Sequence, residues 1–196
     1  MNTGNSLNEQ YFKDVYQNNE DPWSFETSEY ERNKYQATIA ALSRERYRSA
    51  FEIGCSIGVL SEMLATRCDR LLSVDVSDLP LQKARQRLEH NPRVTVQKMT
   101  VPEEFPHELF DLILLSEVGY YWSEKDLQKA CGLILAHLQP GGQLLLVHWT
   151  PFVHDYPLTG DQVHDLFLAL CKEDGPLLHL KGSREETYRL DLFERR

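Results

Sequence analysis

The chain of 196 residues is poor in the features that mark secreted, metal-binding and membrane proteins. Its four cysteines are widely spaced and form no CxxC pair, and its seven histidines lack ligand spacing, so neither a disulfide framework nor a metal site is expected. No apolar run approaches the roughly 18 residues that a membrane-spanning helix needs. The polar start, residues 1–10, lacks the apolar core of a signal peptide. We therefore expect reduced cysteines, no membrane association and a cytoplasmic location.

Positive charge is also scarce. The 21 Lys and Arg residues are outnumbered by 30 Asp and Glu residues, which gives a formal net charge of −9. Nucleic-acid phosphates are repelled by such a surface, so a nucleic-acid partner is not expected. The hydrophobic content of 41% and the charged content of 26% are ordinary for a globular domain, and the length suits one domain with a substantial core.

Strand and helix patterns alternate from about residue 49 onward. The apolar runs predict seven strands, and helical periodicity predicts helices from about residue 58, from residue 77, over 124–137 and over 161–172. The predicted strands are 50–53, 71–74, 94–96, 110–115, 143–149, 177–181 and 188–193. This alternation predicts an α/β fold with a doubly wound, mostly parallel seven-stranded sheet. Ligands of such sheets bind beyond the carboxyl ends of the strands.

The first 48 residues stand outside this alternation and are rich in aromatic side chains. We expect residues 1–48 to form an N-terminal helical cap over the ligand cleft. Residues 49–196 would form the core of the same domain.

A glycine loop follows the first predicted strand, in the stretch Phe51–Gly58. The candidate cofactor-binding residues of this stretch are Glu52, Gly54, Cys55 and Gly58. A dinucleotide fingerprint needs three glycines as GxGxxG, and Ser56 stands where the second of them would be. The pattern Glu-x-Gly-x-x-x-Gly instead resembles motif I of class I S-adenosylmethionine (SAM) methyltransferases. The resemblance implies a Rossmann-like fold, SAM as cofactor and S-adenosylhomocysteine (SAH) as product. It also implies that Glu52 orders the ammonium group of the methionine end.

The second predicted strand ends in Asp75, about twenty residues beyond the first glycine of the loop. In the SAM interpretation its two oxygens accept both ribose hydroxyls, and the alternative is a cap for the following helix. Val76 comes next. After the third strand, methyltransferases commonly carry an acid near the adenine amine, but this chain has Met99 and Thr100 there, which we expect to flank the adenine.

The stretch Phe110–Val118 resembles motif IV of the same superfamily, and its end is where the methyl group and the acceptor should meet. We expect Ser116 to contact the cofactor, whereas Glu117 can take a proton from an amine, orient it or cap a helix. Tyr120 is predicted to contact the sulfonium or a sugar ring, with core packing as the alternative. His148, at the end of the fifth strand, is a candidate proton acceptor, with a structural role as the alternative.

The N-terminal segment narrows the resemblance to one family. Tyr11-Phe12, Asp21-Pro22-Trp23 and the stretch Tyr30–Tyr35 are similar to the opening of the NodS family, the rhizobial nodulation methyltransferases. The family implies N-methylation of a de-N-acetylated glucosamine at the end of a chitooligosaccharide. By analogy, Trp23 and Arg32 close over SAM, with Arg32 reaching its carboxylate. The alternatives are a hydrophobic anchor for Trp23 and a surface ion pair of Arg32 with Glu29 or Glu31.

The sequence therefore predicts a SAM-dependent methyltransferase acting on a small-molecule or sugar amine. The alternatives are methylation of oxygen, sulfur or carbon in another small metabolite, and a non-catalytic SAM-fold binding protein. A nicotinamide oxidoreductase is disfavoured by the glycine spacing.

Overall fold

The computed structural model describes residues 4–196, and a seven-stranded sheet runs through its centre. The spatial order is β3-β2-β1-β4-β5-β7-β6, with β1 to β5 parallel and β7 antiparallel to both of its neighbours. The strands are β1 Ala50–Ile53, β2 Leu71–Asp75, β3 Val94–Lys98, β4 Phe110–Ser116, β5 Leu138–Trp149, β6 Leu177–Arg184 and β7 Tyr188–Arg195. The predicted mostly parallel, doubly wound sheet is confirmed.

The helices lie on both faces of this sheet, as right-handed strand-helix-strand crossovers require. They are α1 Glu9–Asn18, α2 Glu29–Ala41, α3 Val59–Leu64, α4 Asp78–Leu88, α5 Glu124–His137 and α6 Gly160–Leu168. Side-chain caps define several starts: Ser28 accepts from Glu31 N–H at α2, and Thr159 and Gln162 form a capping box at α6. Among residues 4–196, no helix combines the length and the apolar character that crossing a membrane requires.

Neighbouring side chains of one strand enter opposite layers of the core, because side chains alternate along a strand. In β4, which is buried throughout, Ile113 and Leu115 pack on the side of α5 and α6. Leu112 and Leu114 pack on the side of α2 and α3. The continuous apolar run that predicted a central strand is therefore explained by burial on both faces.

Several predicted boundaries differ from the structure. Strand β5 begins at Leu138 rather than at 143, since the Pro140-Gly141-Gly142 segment forms an irregularity within the strand instead of a separate turn. Helix α6 ends at Leu168 rather than at 172. Ser77 occupies the N-cap position of α4, but its side chain makes no capping hydrogen bond.

The described part of the predicted cap, residues 4–48, contains α1 and α2 and contacts loops at the carboxyl ends of the strands. The Leu7 N–H donates to the Tyr121 carbonyl at 2.8 Å, beyond β4, and Lys98 at the end of β3 pairs with Glu9 at 2.7 Å. Residues 1–3 of that prediction lie outside the described residues.

Candidate functional site

A cavity of about 570 Å³ lies between α1, α2 and the carboxyl ends of β1, β2 and β4. This is the position that the parallel sheet predicts for a ligand, and the volume is within the usual range for small-molecule sites. Most of the predicted site residues line it: Trp23, Gly54, Asp75, Val76, Met99, Thr100, Ser116, Glu117 and Tyr120. The lining does not include Arg32, Glu52, Cys55, Gly58 or His148.

The glycine loop after β1 supplies one wall of the cavity. Gly54 has a φ of +83°, and a β-carbon there would overlap Cγ2 of Val118, so the close approach of two loops depends on this glycine. Gly58, with a φ of +80°, instead packs α3 against α4, because a β-carbon would lie 3.1 Å from Ala84. Cys55 is buried beside the loop. Gly54 therefore allows the loops after β1 and β4 to approach each other at the cavity, and Gly58 allows α3 and α4 to pack closely.

Glu52 lies behind the loop. Its Oε2 accepts hydrogen bonds from the hydroxyls of Ser61 at 2.5 Å and Ser73 at 2.6 Å. Burial raises the pKa of Glu52, and these two hydrogen bonds oppose the rise. The carboxylate thus joins β1 to β2 and α3, and it supports the loop from behind the cavity lining.

Asp75, the last residue of β2, is half-buried on the cavity wall. Its two oxygens accept backbone N–H groups of Ser56 and Ser77, each at 3.0 Å. Burial raises the pKa of Asp75 to about 6, although the backbone hydrogen bonds lower it. The Val76 N–H is a third backbone donor that lowers this pKa. A carboxylate has about four acceptor positions, so capacity for a ligand hydroxyl remains.

The end of the cavity near β3 is formed by Met99, Thr100 and Val101. The Thr100 N–H donates to Glu104 at 2.7 Å, so this backbone donor is occupied. Glu103 also lines the cavity, and its carboxylate pairs with Lys129 at 2.8 Å. The sequence analysis did not single out Glu103, since it lies four residues further along the chain than the expected acid.

Glu117 follows β4 with a φ of +58°, which is uncommon for a residue with a side chain. Its Oε1 accepts from Lys34 Nζ at 2.7 Å. Its Oε2 accepts from the Tyr120 hydroxyl at 2.6 Å and from the Trp149 N–H at 2.9 Å. Glu117 therefore joins α2 to the ends of β4 and β5, and its carboxylate has one fixed orientation.

Helix α2 presents Lys34, not Arg32, to the cavity. The Lys34 side chain is 3% exposed and lies between Glu31 and Glu117, whereas the Arg32 side chain is 62% exposed and pairs with Glu29 at 3.7 Å. Two residues along a helix correspond to about 200° of rotation, so the two cations lie on opposite faces. The sequence analysis did not name Lys34 and considered Glu31 only as a surface partner of Arg32, although the i, i+3 spacing of Glu31 and Lys34 was a signal that they share one face.

His148 is fully buried, and both of its ring nitrogens have partners. Its Nε2 accepts from the Gly119 N–H at 3.1 Å, and its Nδ1 lies 3.0 Å from Nε2 of His164. Since Gly119 can only donate, Nδ1 of His148 carries the proton and donates to His164, whose Nδ1 then donates to Asp191 at 2.6 Å. Burial lowers the pKa of His148 well below its ordinary value. The ring thus holds the Gly119–Tyr121 turn in place.

Aromatic rings form the rest of the lining. Tyr120 stacks on Tyr156 with ring centroids 5.1 Å apart, and Tyr121 meets both rings edge to face. Trp23 packs edge to face on Tyr16 at 5.6 Å on the side of the cap. Such surfaces suit a sugar face or a sulfonium. Within residues 4–196, no group of three or more His, Cys, Asp or Glu side chains is placed to hold a metal ion.

Comparison with known families gives one match. A family model described as "Nodulation protein S (NodS)" matches residues 7–149. Nodulation protein S of Rhizobium tropici is 32% identical over 128 residues, which are 64% of this chain and 54% of that protein. The protein of the same name from Bradyrhizobium diazoefficiens is 34% identical over 103 residues, 52% of this chain and 49% of that protein. The match therefore spans about half the length of these relatives.

Solved structures share the fold. A methyltransferase candidate from Pseudomonas syringae is 40% identical, with a TM-score of 0.73 over 85% of this chain and 99% of that one. The N-methyltransferase NodS from Bradyrhizobium japonicum WM9, in complex with SAH, is 23% identical, with a TM-score of 0.83 over 95% and 97% of the two chains. The seven-stranded sheet and its helices therefore have the class I SAM methyltransferase fold.

Proposed function

Because this chain belongs to the nodulation protein S family, we propose that it is a SAM-dependent methyltransferase that methylates a small-molecule or sugar amine. One observation carries the proposal. Gly54, Asp75 and Glu117, which come from the ends of three different strands, line the same cavity. A glycine loop, an acid at the end of β2 and a polar group at the end of β4 are the groups that a nucleoside cofactor and a methyl acceptor require at that edge.

The residues present fit the cofactor. Asp75, Met99, Thr100 and Trp23 all line the cavity. Asp75 would accept the ribose hydroxyls, Met99 and Thr100 would flank the adenine, and Trp23 would cover the cofactor from the N-terminal segment. Bound SAM supplies an activated methyl group on a positively charged sulfur. The surrounding rings exclude water and favour that charge.

The chain's own residues then orient the acceptor. Glu117 and Tyr120 form a hydrogen-bonded pair on the cavity wall, and His148 fixes the turn that carries Tyr120. Direct methyl transfer needs the acceptor lone pair in line with the departing sulfur, so positioning and desolvation account for most of the acceleration. His148 acts as a positioning residue in this scheme, because both of its nitrogens are occupied.

A different small-molecule acceptor is the second candidate. The family match ends at residue 149, but Val153 and Tyr156, which follow it, also line the cavity. The lining of the cavity therefore includes residues outside the family match, and they bear on the choice of acceptor. De-N-acetylated chitooligosaccharides are the first acceptors to test, and other amines and hydroxyls come second.

The proposal also includes the class of acceptor and the cellular location of the enzyme. A net charge of −9 disfavours nucleic acid as acceptor. The use of SAM, an intracellular metabolite, favours a cytoplasmic location.

Calorimetric titration with SAH tests the proposal, followed by an acceptor screen with isotopically labelled SAM. Micromolar SAH binding and label transfer to an amine are the expected results. A folded sample that binds neither SAH nor SAM would overturn the proposal, and label transfer only to hydroxyl or thiol acceptors would reject the amine.

A further inference from the structure

Three of the charged side chains that line the cavity form one patch between α2 and the end of β4: Glu31, Lys34 and Glu117. Lys34 Nζ donates to Glu31 at 3.1 Å and to Glu117 at 2.7 Å. Burial by itself would lower the pKa of Lys34, but the two carboxylates outweigh it and raise the pKa above its ordinary value. Lys34 therefore stays charged, and the formal charge of the patch, counted from one lysine and two glutamates, is −1.

The two carboxylates differ in how much of their hydrogen-bonding capacity is used. Glu117 accepts three hydrogen bonds, from Lys34, Tyr120 and Trp149. Glu31 accepts one, from Lys34, at Oε1. Its Oε2 is buried and lies 3.0 Å from Lys34 Nζ, but it makes no hydrogen bond within the described residues.

A buried carboxylate oxygen without a hydrogen bond is unfavourable, because the group has lost its water. Glu31 is 8% exposed, and it lines the cavity. A cationic donor in the cavity would both complete the hydrogen bonding of Oε2 and neutralise the excess negative charge. A hydroxyl acceptor would do only the first.

We propose that Glu31 binds the methyl acceptor as an ammonium ion and takes one proton from it. This inference deepens the proposed function and rests on it. It makes the anionic patch the feature that selects an amine over a hydroxyl.

The transfer balances as follows. One N–H bond of the ammonium breaks, and the proton forms an O–H bond on Glu31, leaving a neutral amine. The freed lone pair forms the new N–C bond while the C–S bond breaks, and that electron pair stays on the sulfur. The products are a protonated N-methylamine and neutral SAH, and the proton on Glu31 returns to solvent.

The charged surroundings of Glu31 suit a proton acceptor. Burial raises the pKa of Glu31, the charge of Glu117 at the end of β4 and that of Asp21 ahead of α2 raise it further, and Lys34 lowers it. A raised pKa reduces the unfavourable difference between this carboxyl group and an alkyl amine.

The Glu31→Gln variant tests the proposal, with kcat/KM measured against pH for fully de-N-acetylated chitotetraose and for glucosamine. We expect kcat/KM at pH 7 to fall by about 100-fold, the lower end of general-base contributions. We expect the pH profile of kcat/KM in this variant to follow the titration of the free amine in solution. The SAH dissociation constant should stay within about threefold of the wild-type value, because Glu31 contacts the acceptor and not the cofactor in this proposal. A threefold change corresponds to the lower end of the net contribution of one hydrogen bond.

Glu29→Gln is the matched control, because Glu29 lies on the exposed face of the same helix and its side chain is 80% exposed. Glu29→Gln should change neither kcat/KM nor the SAH dissociation constant. An unchanged kcat/KM in Glu31→Gln, or a loss of SAH affinity equal to the loss of kcat/KM, would overturn the proposal, the latter by assigning Glu31 to the cofactor's own ammonium. Absence of wild-type turnover with both amines, in a sample that binds SAH, would instead reject the amine-methylating function.

Glu31→Asp keeps the test decisive if Glu31→Gln does not fold. It retains the carboxylate, so we expect the wild-type pH profile with a lower kcat. A pH profile of kcat/KM in Glu31→Asp that follows the titration of the free amine would contradict the proposal.

Discussion

The hydroxyl of Tyr16 lies 2.6 Å from the hydroxyl of Ser56, and this hydrogen bond joins α1 of the N-terminal segment to the glycine loop. Ser56 has a φ of +49° and donates its N–H to Asp75. One chain of hydrogen bonds therefore connects the cap, the glycine loop and the acid at the end of β2. The position of α1 and the shape of the cavity wall at Asp75 are thus physically linked.

Tyr16→Phe removes this link while keeping the ring that packs on Trp23. A lost hydrogen bond costs about 0.5–1.5 kcal/mol, so we expect SAH to bind about 3- to 10-fold more weakly by calorimetry. Tyr30→Phe is the matched control, because its hydroxyl bonds Thr187 on the surface. Equal SAH affinity in Tyr16→Phe and wild type would show that the cap and the loop are not coupled.

SAH affinity should depend on the ionisation of Asp75. Its pKa is raised to about 6 by burial. In the proposed site, ribose hydroxyls would donate to the ionised carboxylate. Affinity should therefore be constant above pH 7 and decrease as the pH falls through 6, by up to about tenfold per pH unit. Asp75→Asn should bind about 10- to 100-fold more weakly at pH 8, since hydrogen bonds to charged groups are worth about 1.5–3 kcal/mol. Titrations of both proteins from pH 5 to 8 check this, and a variant that keeps the wild-type pH dependence would contradict the ribose assignment.

Asp191 should stabilise the fold in a pH-dependent way. Burial alone would raise its pKa, but the hydrogen bonds from His164 and His179 and the charge of Arg189 hold the pKa of Asp191 below its ordinary value. The stabilisation is therefore complete above the unfolded-state pKa of about 3.9 and is lost as the pH falls through the lower folded-state value. We expect Asp191→Asn to lower the free energy of unfolding by about 3 kcal/mol at neutral pH, as breaking buried pairs does.

Urea denaturation at pH 7 and at pH 3.5 measures this difference, which should be smaller at the lower pH. Asp165→Asn is the control, since Asp165 pairs with the same Arg189 but is 67% exposed. If Asp191→Asn lost more unfolding free energy at pH 3.5 than at pH 7, the predicted direction of the pH dependence would be wrong.

Gly54→Ala should disrupt both stability and ligand binding. The backbone has a positive φ, and the added β-carbon overlaps Cγ2 of Val118, which is too short and stiff a side chain to move aside freely. We expect a loss of about 1–3 kcal/mol in the free energy of unfolding and no micromolar binding of SAH. Gly132→Ala is the control, because nothing lies within 4 Å of a β-carbon there, and a helical glycine replaced by alanine gains up to about 1 kcal/mol. Thermal unfolding and calorimetry check both variants, and SAH binding by Gly54→Ala at wild-type affinity would contradict the role of this glycine.

The strands and the edge where they meet were predictable from the sequence. Continuous apolar runs predicted strands buried on both faces, and glycine or acidic residues after them predicted a ligand edge, which contains Gly54, Asp75 and Glu117. Boundaries inside loops were less predictable. The Pro140-Gly141-Gly142 segment has the composition of a turn, but pairing with β4 extends β5 through it.

The choice between the cations of α2 was not predictable from composition. Arg32 and Lys34 are both suited to an anion, and only the rotation of the helix against the sheet puts Lys34 in the cavity. The cofactor role of Arg32, like those of Glu52, Cys55 and Gly58, stays a prediction, and none of these four residues lines the cavity.

The sequence by itself determined the order of strands and helices and the acids and glycines at the strand ends, because those depend on local periodicity and on the few residues that tight turns accept. The tertiary structure decided which of these groups keep free lone pairs. It buries His148 against Gly119 and His164, gives Glu117 three hydrogen bonds, from Lys34, Tyr120 and Trp149, and leaves one oxygen of Glu31 without a hydrogen bond. Hydrogen-bond saturation depends on partners that are distant in sequence, and it therefore becomes visible only once the chain is folded.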